Sequence, residues 1–407
     1  MEQMGKWEKP EVGNGWHREC AYAYFWESVP GVGAKSIERC YLQYGSYQKM
    51  YEQNGKKGLT EKQQAECRRQ KCVWNIKEEY GKLLANKIWC IPKQLQGYPD
   101  RLLRIEQAPS ALFVRGKLPG PGHLSVAIVG ARRCSPYGST MARELAKRMA
   151  AKGIQVISGL ASGIDGISQR GALEGNGATF GIMGCGVDIC YPEENRDIFT
   201  RLCNGENGGG IISEYMPGTQ PAAGRFPMRN RIISGLADVL VVVEAKEKSG
   251  TFITVSSALE QGKDVYVFPG RLGDRLSYGC NRLIAQGAGI IYDMDEFIVE
   301  ILAGKHMIIE GSAGKEEISG SGEEKKLQEN AGEQKETGYD GESGQMNKTE
   351  QEILEVLEIQ YLSVEEIMDR MIHREKMTDV LAALSTLECM GMVEMEGSFY
   401  RKKEKFV

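Results

Sequence analysis

Four short stretches of this chain carry residue types suited to holding a polyanion. The first, Gly130-Ala131-Arg132-Arg133-Cys134-Ser135, puts two guanidiniums directly after an apolar run. Guanidinium meets phosphate bidentately, and a cation near a helix N-terminus can share an anion with the free amides there. The competing role for Arg132 and Arg133 is a surface pair with a carboxylate. The second stretch runs Ser158-Gly159-Leu160-Ala161-Ser162-Gly163-Ile164-Asp165. Its small residues permit close backbone approach, and the Ser158 and Ser162 hydroxyls can donate to phosphate oxygens; the alternative for Gly159 and Gly163 is a turn needed only for packing. Asp165 repels phosphate, so its expected work is a helix cap or the orienting of an arginine. The third, Phe226-Pro227-Met228-Arg229-Asn230-Arg231, sets two arginines and Asn230 beside an aromatic ring at a predicted helix start. Single-strand binders combine backbone cations with a stacking face in this way, at ~1–3 kcal/mol per stacked base. At least one of Arg229 and Arg231 is expected to hold a buried glutamate such as Glu244 instead, and Phe226 is either a stacking face or core filler. In the fourth, Lys246 and Lys248 precede a Ser249-Gly250-Thr251 turn that opens a helix and can accept an anion. A charged loop facing only solvent is the other reading.

Loops of this kind need a scaffold that brings them to one edge. Strand-length apolar runs cover Leu124–Val129, Gln155–Ser158, Thr179–Met183, Gly210–Ser213, Asp238–Val243, Asp264–Phe268 and Ile290–Tyr292. Helix-like segments separate them at Ser139–Ala151, Ile164–Leu173, Glu194–Cys203, Asn230–Leu236, Thr251–Gln261 and Arg282–Gln286. Buried strands alternating with helices predict an α/β, doubly wound parallel sheet. In such sheets ligands sit at the strand carboxyl ends. A dinucleotide site would show GxGxxG after the first strand; two arginines stand there instead, which suits an anionic backbone at the surface better than an enclosed pyrophosphate.

The chain has 407 residues, 41% hydrophobic and 26% charged, with net charge −4. That length predicts two or three domains of ~100–200 residues and excludes wholesale disorder. The chain divides into a helical domain at 1–90, the α/β domain at 91–303, an acidic Gly/Ser/Glu/Lys-rich linker at 304–345 and a small domain at 346–407. The linker holds too few large aliphatics to offset its ordering entropy and is expected to be flexible. Within 1–90, Ser28-Val-Pro-Gly31-Val-Gly33-Ala-Lys-Ser reads either as a helix-hairpin-helix turn facing phosphate or as a plain turn between helices. The last segment predicts three helices and a hairpin about Gly397, a winged-helix pattern. Its predicted recognition helix, Lys376-Met-Thr-Asp-Val-Leu-Ala-Ala-Leu, is nearly free of cations, so a protein contact is expected there rather than DNA. The 11 cysteines include no CxxC pair and the 4 histidines are scattered, so no metal site is expected. No apolar run approaches the ~18 residues of a membrane helix, and a reduced, cytoplasmic protein without membrane insertion is expected.

Seven motifs, in order over roughly 92–292, give the chain a resemblance. They are Val126-Ala-Ile-Val-Gly-Ala-Arg, Val156-Ile-Ser-Gly-Leu-Ala-Ser-Gly-Ile-Asp, Gly184-Cys-Gly-Val-Asp-Ile-Cys-Tyr-Pro-Glu-Glu-Asn, Ser213-Glu, Phe226-Pro-Met-Arg-Asn-Arg-Ile-Ile-Ser-Gly-Leu, Val243-Glu-Ala-Lys-Glu-Lys-Ser-Gly-Thr and Val267-Phe-Pro-Gly. In these the sequence closely resembles the DNA-processing protein A family. The resemblance implies an extended Rossmann-like fold and a non-enzymatic protein without a cofactor. It further implies binding of single-stranded DNA, homodimer formation, and help in loading the RecA recombinase during natural transformation and recombination. From their own chemistry, the residues expected to contact nucleic acid are Arg132, Arg133, Ser158, Gly159, Ser162, Gly163, Phe226, Arg229, Asn230, Arg231, Lys248, Ser249 and Gly250. One departure is Gln169, where the family usually carries histidine. The alternative is a nucleotide-processing hydrolase resembling the lysine-decarboxylase-like phosphoribohydrolases. Their PGGxGTxxE loop carries a catalytic glutamate, and the corresponding position here is Thr254, which has no acid–base capacity.

Overall fold

The computed structural model describes residues 14–313 and, beyond them, 348–357, 362–364, 367–368, 371, 377–390, 392–396 and 399–402. The chain separates into two units, 1–318 and 319–407.

The first unit begins with five helices: α1 (Asn14–Ser28), α2 (Ala34–Tyr44), α3 (Tyr47–Glu52), α4 (Glu61–Val73) and α5 (Ile76–Ala85). Their aromatics at helical spacing close on one another, with Trp26, Phe25 and Tyr47 fully buried. There follow β1 (Trp89–Pro92), α6 (Asp100–Leu103), β2 (Ala111–Gly116), β3 (Ser125–Val129), α7 (Pro136–Ala151), β4 (Gln155–Ser158), α8 (Ile164–Glu174), β5 (Thr179–Met183), α9 (Arg196–Cys203) and β6 (Gly210–Ser213). The unit ends with α10 (Arg225–Leu236), β7 (Val239–Val242), α11 (Thr251–Glu260), β8 (Asp264–Val267), α12 (Tyr278–Ala285), β9 (Gly289–Ile290) and α13 (Met294–Ala313). Helix α13 carries the chain ten residues into the stretch read as linker from 304. The remainder of that stretch, 314–345, lies outside the described residues.

Nine strands form one sheet in the order β1-β2-β6-β5-β4-β3-β7-β8-β9. Seven are parallel, as the alternation of strands and helices requires. The fold is thus the Rossmann-like α/β sheet expected. Two further strands were not foreseen: β1 and β2 add an antiparallel edge, β2 pairing with β6. Period-two alternation assigns the faces. Ala127, Val129, Leu240 and Val242 enter one core cluster, whereas Val126, Ile128, Val239 and Val241 enter the other. On the second face α7 packs on α8 at Gly171, where an added Cβ would lie 2.3 Å from the Arg143 carbonyl.

Chain order sets the location of the site. From β3 the strands step outward through β4, β5 and β6; the chain then crosses back to β7 beside β3 and steps the other way. The carboxyl ends of β3 and β7 flank this reversal, where two diverging loops leave a crevice.

In the second unit, α14 (Lys348–Val356), β10 (Leu362–Ser363), α15 (Met377–Cys389), β11 (Val393–Glu396) and β12 (Phe399–Lys402) surround a core of Ile353, Leu357, Leu384, Leu387 and Val393. The strands pair antiparallel in the order β10-β12-β11.

Candidate nucleic-acid interface

An open cleft of about 810 Å³ occupies the reversal point. The loops after β3 and β7, the first turn of α10 and the start of α11 line it.

An aromatic ledge forms one part of the wall. Phe226, in the first turn of α10, lies so close to Gly184 that a Cβ there would sit 2.8 Å from the ring. The Tyr191 ring stacks on Phe226 with centroids 5.5 Å apart and planes at 27°. The Arg132 guanidinium stands 5.7 Å from the Phe226 centroid. Tyr191 is 43% exposed, and Arg132 is exposed as well. Phe226 is half-buried, so it serves as the middle of a ledge and not as core filler.

Around the ledge stand Arg133, Lys246 and Lys248, all exposed and all lining the cleft. Like Arg132, none makes an ion pair among the described residues. The Ser249 hydroxyl accepts the Thr251 N–H at 3.2 Å and donates to the Thr251 hydroxyl at 2.9 Å, closing the turn that starts α11. Gly250 and Asn230 also face the cleft. Ser162, half-buried, lines a small adjoining recess with Arg132 and Tyr191.

Other expected ligands are spent inside the protein. Ser158 is fully buried, and its hydroxyl donates to the Ile128 carbonyl at 2.6 Å, so it ties β4 to β3 and offers nothing to phosphate. Arg229 is only 4% exposed. Its Nη1 donates to the Gly159 carbonyl at 2.6 Å and to that of Ile182. Its charge partner is Asp165, not Glu244. Glu244 instead accepts the Ser135 N–H at 2.9 Å and the Ser135 hydroxyl at the start of α7. Arg231 points elsewhere, forked onto Glu214 at 2.6 and 2.9 Å. The close approach at Gly159 is to protein: a Cβ there would meet the Arg229 guanidinium and the Asp165 carboxylate at 2.6 Å. Gly163 is likewise needed for its φ of +73° and because a Cβ there would lie 2.4 Å from the Ala131 carbonyl oxygen.

Of the two roles expected of Asp165, a helix cap or the orienting of an arginine, the geometry fits the second. Its Oδ2 accepts the Gly159 N–H at 3.0 Å. Burial pushes its carboxyl up, opposed by Arg229 and by the amides of Gly159 and Ala161. The loop after β4 is therefore a braced strut beneath the cleft. Gln169, on α8 below it, is fully buried, and neither side-chain amide atom has a hydrogen-bond partner in the protein.

Sequence reasoning gave Tyr191 no role, although it stands within a motif that was singled out. Its signal was an aromatic in a polar, Pro-containing loop, but pairing with a ring 35 positions later is a tertiary fact. Among the described residues no cluster of three His, Cys, Asp or Glu could hold a metal, and no helix is long and apolar enough to cross a membrane.

Fold and rim together define a Rossmann-like protein with an open, cationic and aromatic cleft at its topological switch point. The family model for DNA recombination-mediator protein A matches residues 89–302, and the chain belongs to that family. It is 38% identical over 218 residues to Protein Smf of Escherichia coli, covering 54% of this chain and 58% of that one. To the DNA processing protein DprA of Bacillus subtilis it is 38% identical over 213 residues, covering 52% and 70%. The X-ray structure of DNA processing protein A from Streptococcus pneumoniae superposes with a TM-score of 0.59 at 30% identity, covering 69% of this chain and 97% of that one.

Proposed function

We propose that this chain binds single-stranded DNA across the cleft between β3 and β7, without catalysis. The observation that carries the reading is the Tyr191–Phe226–Arg132 ledge ringed by unpaired cations. Bases of any identity can stack on the ledge while phosphates meet Arg132, Arg133, Lys246 and Lys248. A duplex hides its base faces and gains nothing from such a ledge. A hydrolase would need a free carboxylate in the cleft. Asp165 is committed to Arg229 and Gly159, and Thr254 stands at the position of the hydrolases' glutamate.

Family membership supports a role in DNA processing. On that basis the bound strand would be delivered to the RecA recombinase in the cytoplasm during DNA uptake and recombination, with the protein acting as a homodimer. The acidic 346–407 segment, read as winged-helix-like, would serve protein contacts. The test is a titration of single-stranded and duplex oligonucleotides at several salt concentrations. Single strands should bind more tightly, with a log–log salt slope of roughly −3 for about four phosphates at ~0.7 each. A flat salt response, or equal affinity for duplex, would overturn the reading.

A further inference from the structure

The cationic rim continues past the cleft. After β8 the chain runs Pro269-Gly270-Arg271-Leu272-Gly273-Asp274-Arg275-Leu276-Ser277 into α12. Backbone bonds fasten this loop to the one that follows β7. The Ala245 N–H donates to the Leu276 carbonyl, and the Gly279 N–H to the Ala245 carbonyl, both at 2.8 Å. Asn281 clamps its start, donating to the Gly270 carbonyl at 3.0 Å and accepting the Gly270 N–H at 3.2 Å. The Tyr137 hydroxyl donates to the Pro269 carbonyl at 2.9 Å. The loop is held at both ends.

It displays two arginines, and two apolar side chains are exposed along it. Arg271 and Arg275 are exposed, Leu272 is 92% exposed, and Tyr278 is half exposed. Some arginines of this unit are spent on acids: Arg143 on Glu174, Arg170 on Asp197, Arg201 on Glu206. Arg271 and Arg275 make no ion pair among the described residues. Lys246, Lys248, Arg271 and Arg275 exceed the acids of the two joined loops, Glu244, Glu247 and Asp274, by one charge, and Glu244 is buried on Ser135. A polyanion leaving the cleft at Lys246 therefore meets further cations on the loop bonded to it.

We propose that a single strand longer than the cleft continues over the loop after β8. Its phosphates would meet Arg271 and Arg275, and its bases would lie against Leu272 and Tyr278. The inference rests on the single-strand reading above and extends its footprint in one direction, from β3 across β7 to β8.

Fluorescence anisotropy with oligothymidine of two lengths tests it: about 5 nucleotides, enough for the cleft alone, and about 16, near the two ends of known single-strand site sizes. The variants are Arg271→Ala/Arg275→Ala, Arg271→Lys/Arg275→Lys and Arg132→Ala. The alanine pair should weaken the long strand about tenfold and reduce its salt slope by ~1.4, two phosphates at ~0.7 each. It should leave the short strand bound as by wild type, and the lysine pair should keep most of the long-strand affinity. Arg132→Ala should weaken both lengths. If the alanine pair melts like wild type and leaves the long strand unaffected, or weakens both lengths equally, the extended track is overturned while the cleft stands. Wild-type protein that binds neither length would bring down both.

Discussion

Replacing Arg229 by alanine should unfold the protein more readily and not merely weaken a ligand. In the native state the guanidinium is buried, donates to the carbonyls of Gly159 and Ile182, and faces the Asp165 carboxylate. Alanine leaves an uncompensated buried carboxylate, a change that costs ~3–5 kcal/mol when one partner of a buried pair is removed. The two abandoned carbonyls act in the same direction; they belong to the same network, so their cost is not added separately. At ~2–4 °C per kcal/mol for domains of this size class, the melting temperature should fall by roughly 10 °C. Lysine keeps a charge for Asp165 but lacks the fork that serves two carbonyls, so Arg229→Lys should fall between. Asp165→Asn in the Arg229→Ala background should recover part of the loss, because the stranded charge is gone. The assay is thermal melting of the set beside Arg132→Ala, whose exposed side chain should change the melting temperature little. If Arg229→Ala melts with wild type, or Arg132→Ala melts well below it, the division into bracing and ligand-facing arginines is wrong.

Two further outcomes can be checked. Tyr191→Ala and Phe226→Ala should each weaken single-strand binding by ~1–3 kcal/mol, with a double variant losing less than the sum because the rings form one ledge; strict additivity in a titration series would refute a shared platform. Burial pushes the Glu27 carboxyl from 4.5 up to about 7, with Glu214 adding to the rise and a Ser110 hydrogen bond opposing it. A raised folded-state value means this group's stabilising contribution is complete below about pH 4.5 and is lost as pH climbs through about 7. Melting curves of Glu27→Gln over that window should accordingly show a flatter pH dependence and a higher melting temperature at pH 8, and an unchanged profile would count against the burial.

Much of the sheet was legible in the chain. Strands β4, β5 and β6 fall on the residues their apolar runs mark, because a strand covered on both faces is mostly apolar, with the few polar side chains, such as Ser158, bonded within the sheet. Arg132, Arg133 and Lys248 were readable as candidate rim cations because ligands of such sheets sit at the strand carboxyl ends; Glu244, two residues past β7 yet buried, shows that position alone does not decide exposure. Strands β1 and β2 escaped notice since β2 joins the sheet antiparallel to β6, far off in sequence, and the two are short. The division of labour among the arginines was not readable either. Arg229 and Arg231 lie two positions apart on one helix, roughly 200° around its axis, so they meet different surroundings, Arg229 the ends of β4 and β5 and Arg231 the half-buried Glu214. Which acid or carbonyl each meets depends on strands and loops far off in sequence. Local chemistry therefore set which side chains could contact DNA, and only the packing of α10 against the ends of β4 and β5 decided that Arg229 braces the cleft while Arg132, Phe226 and Tyr191 line it.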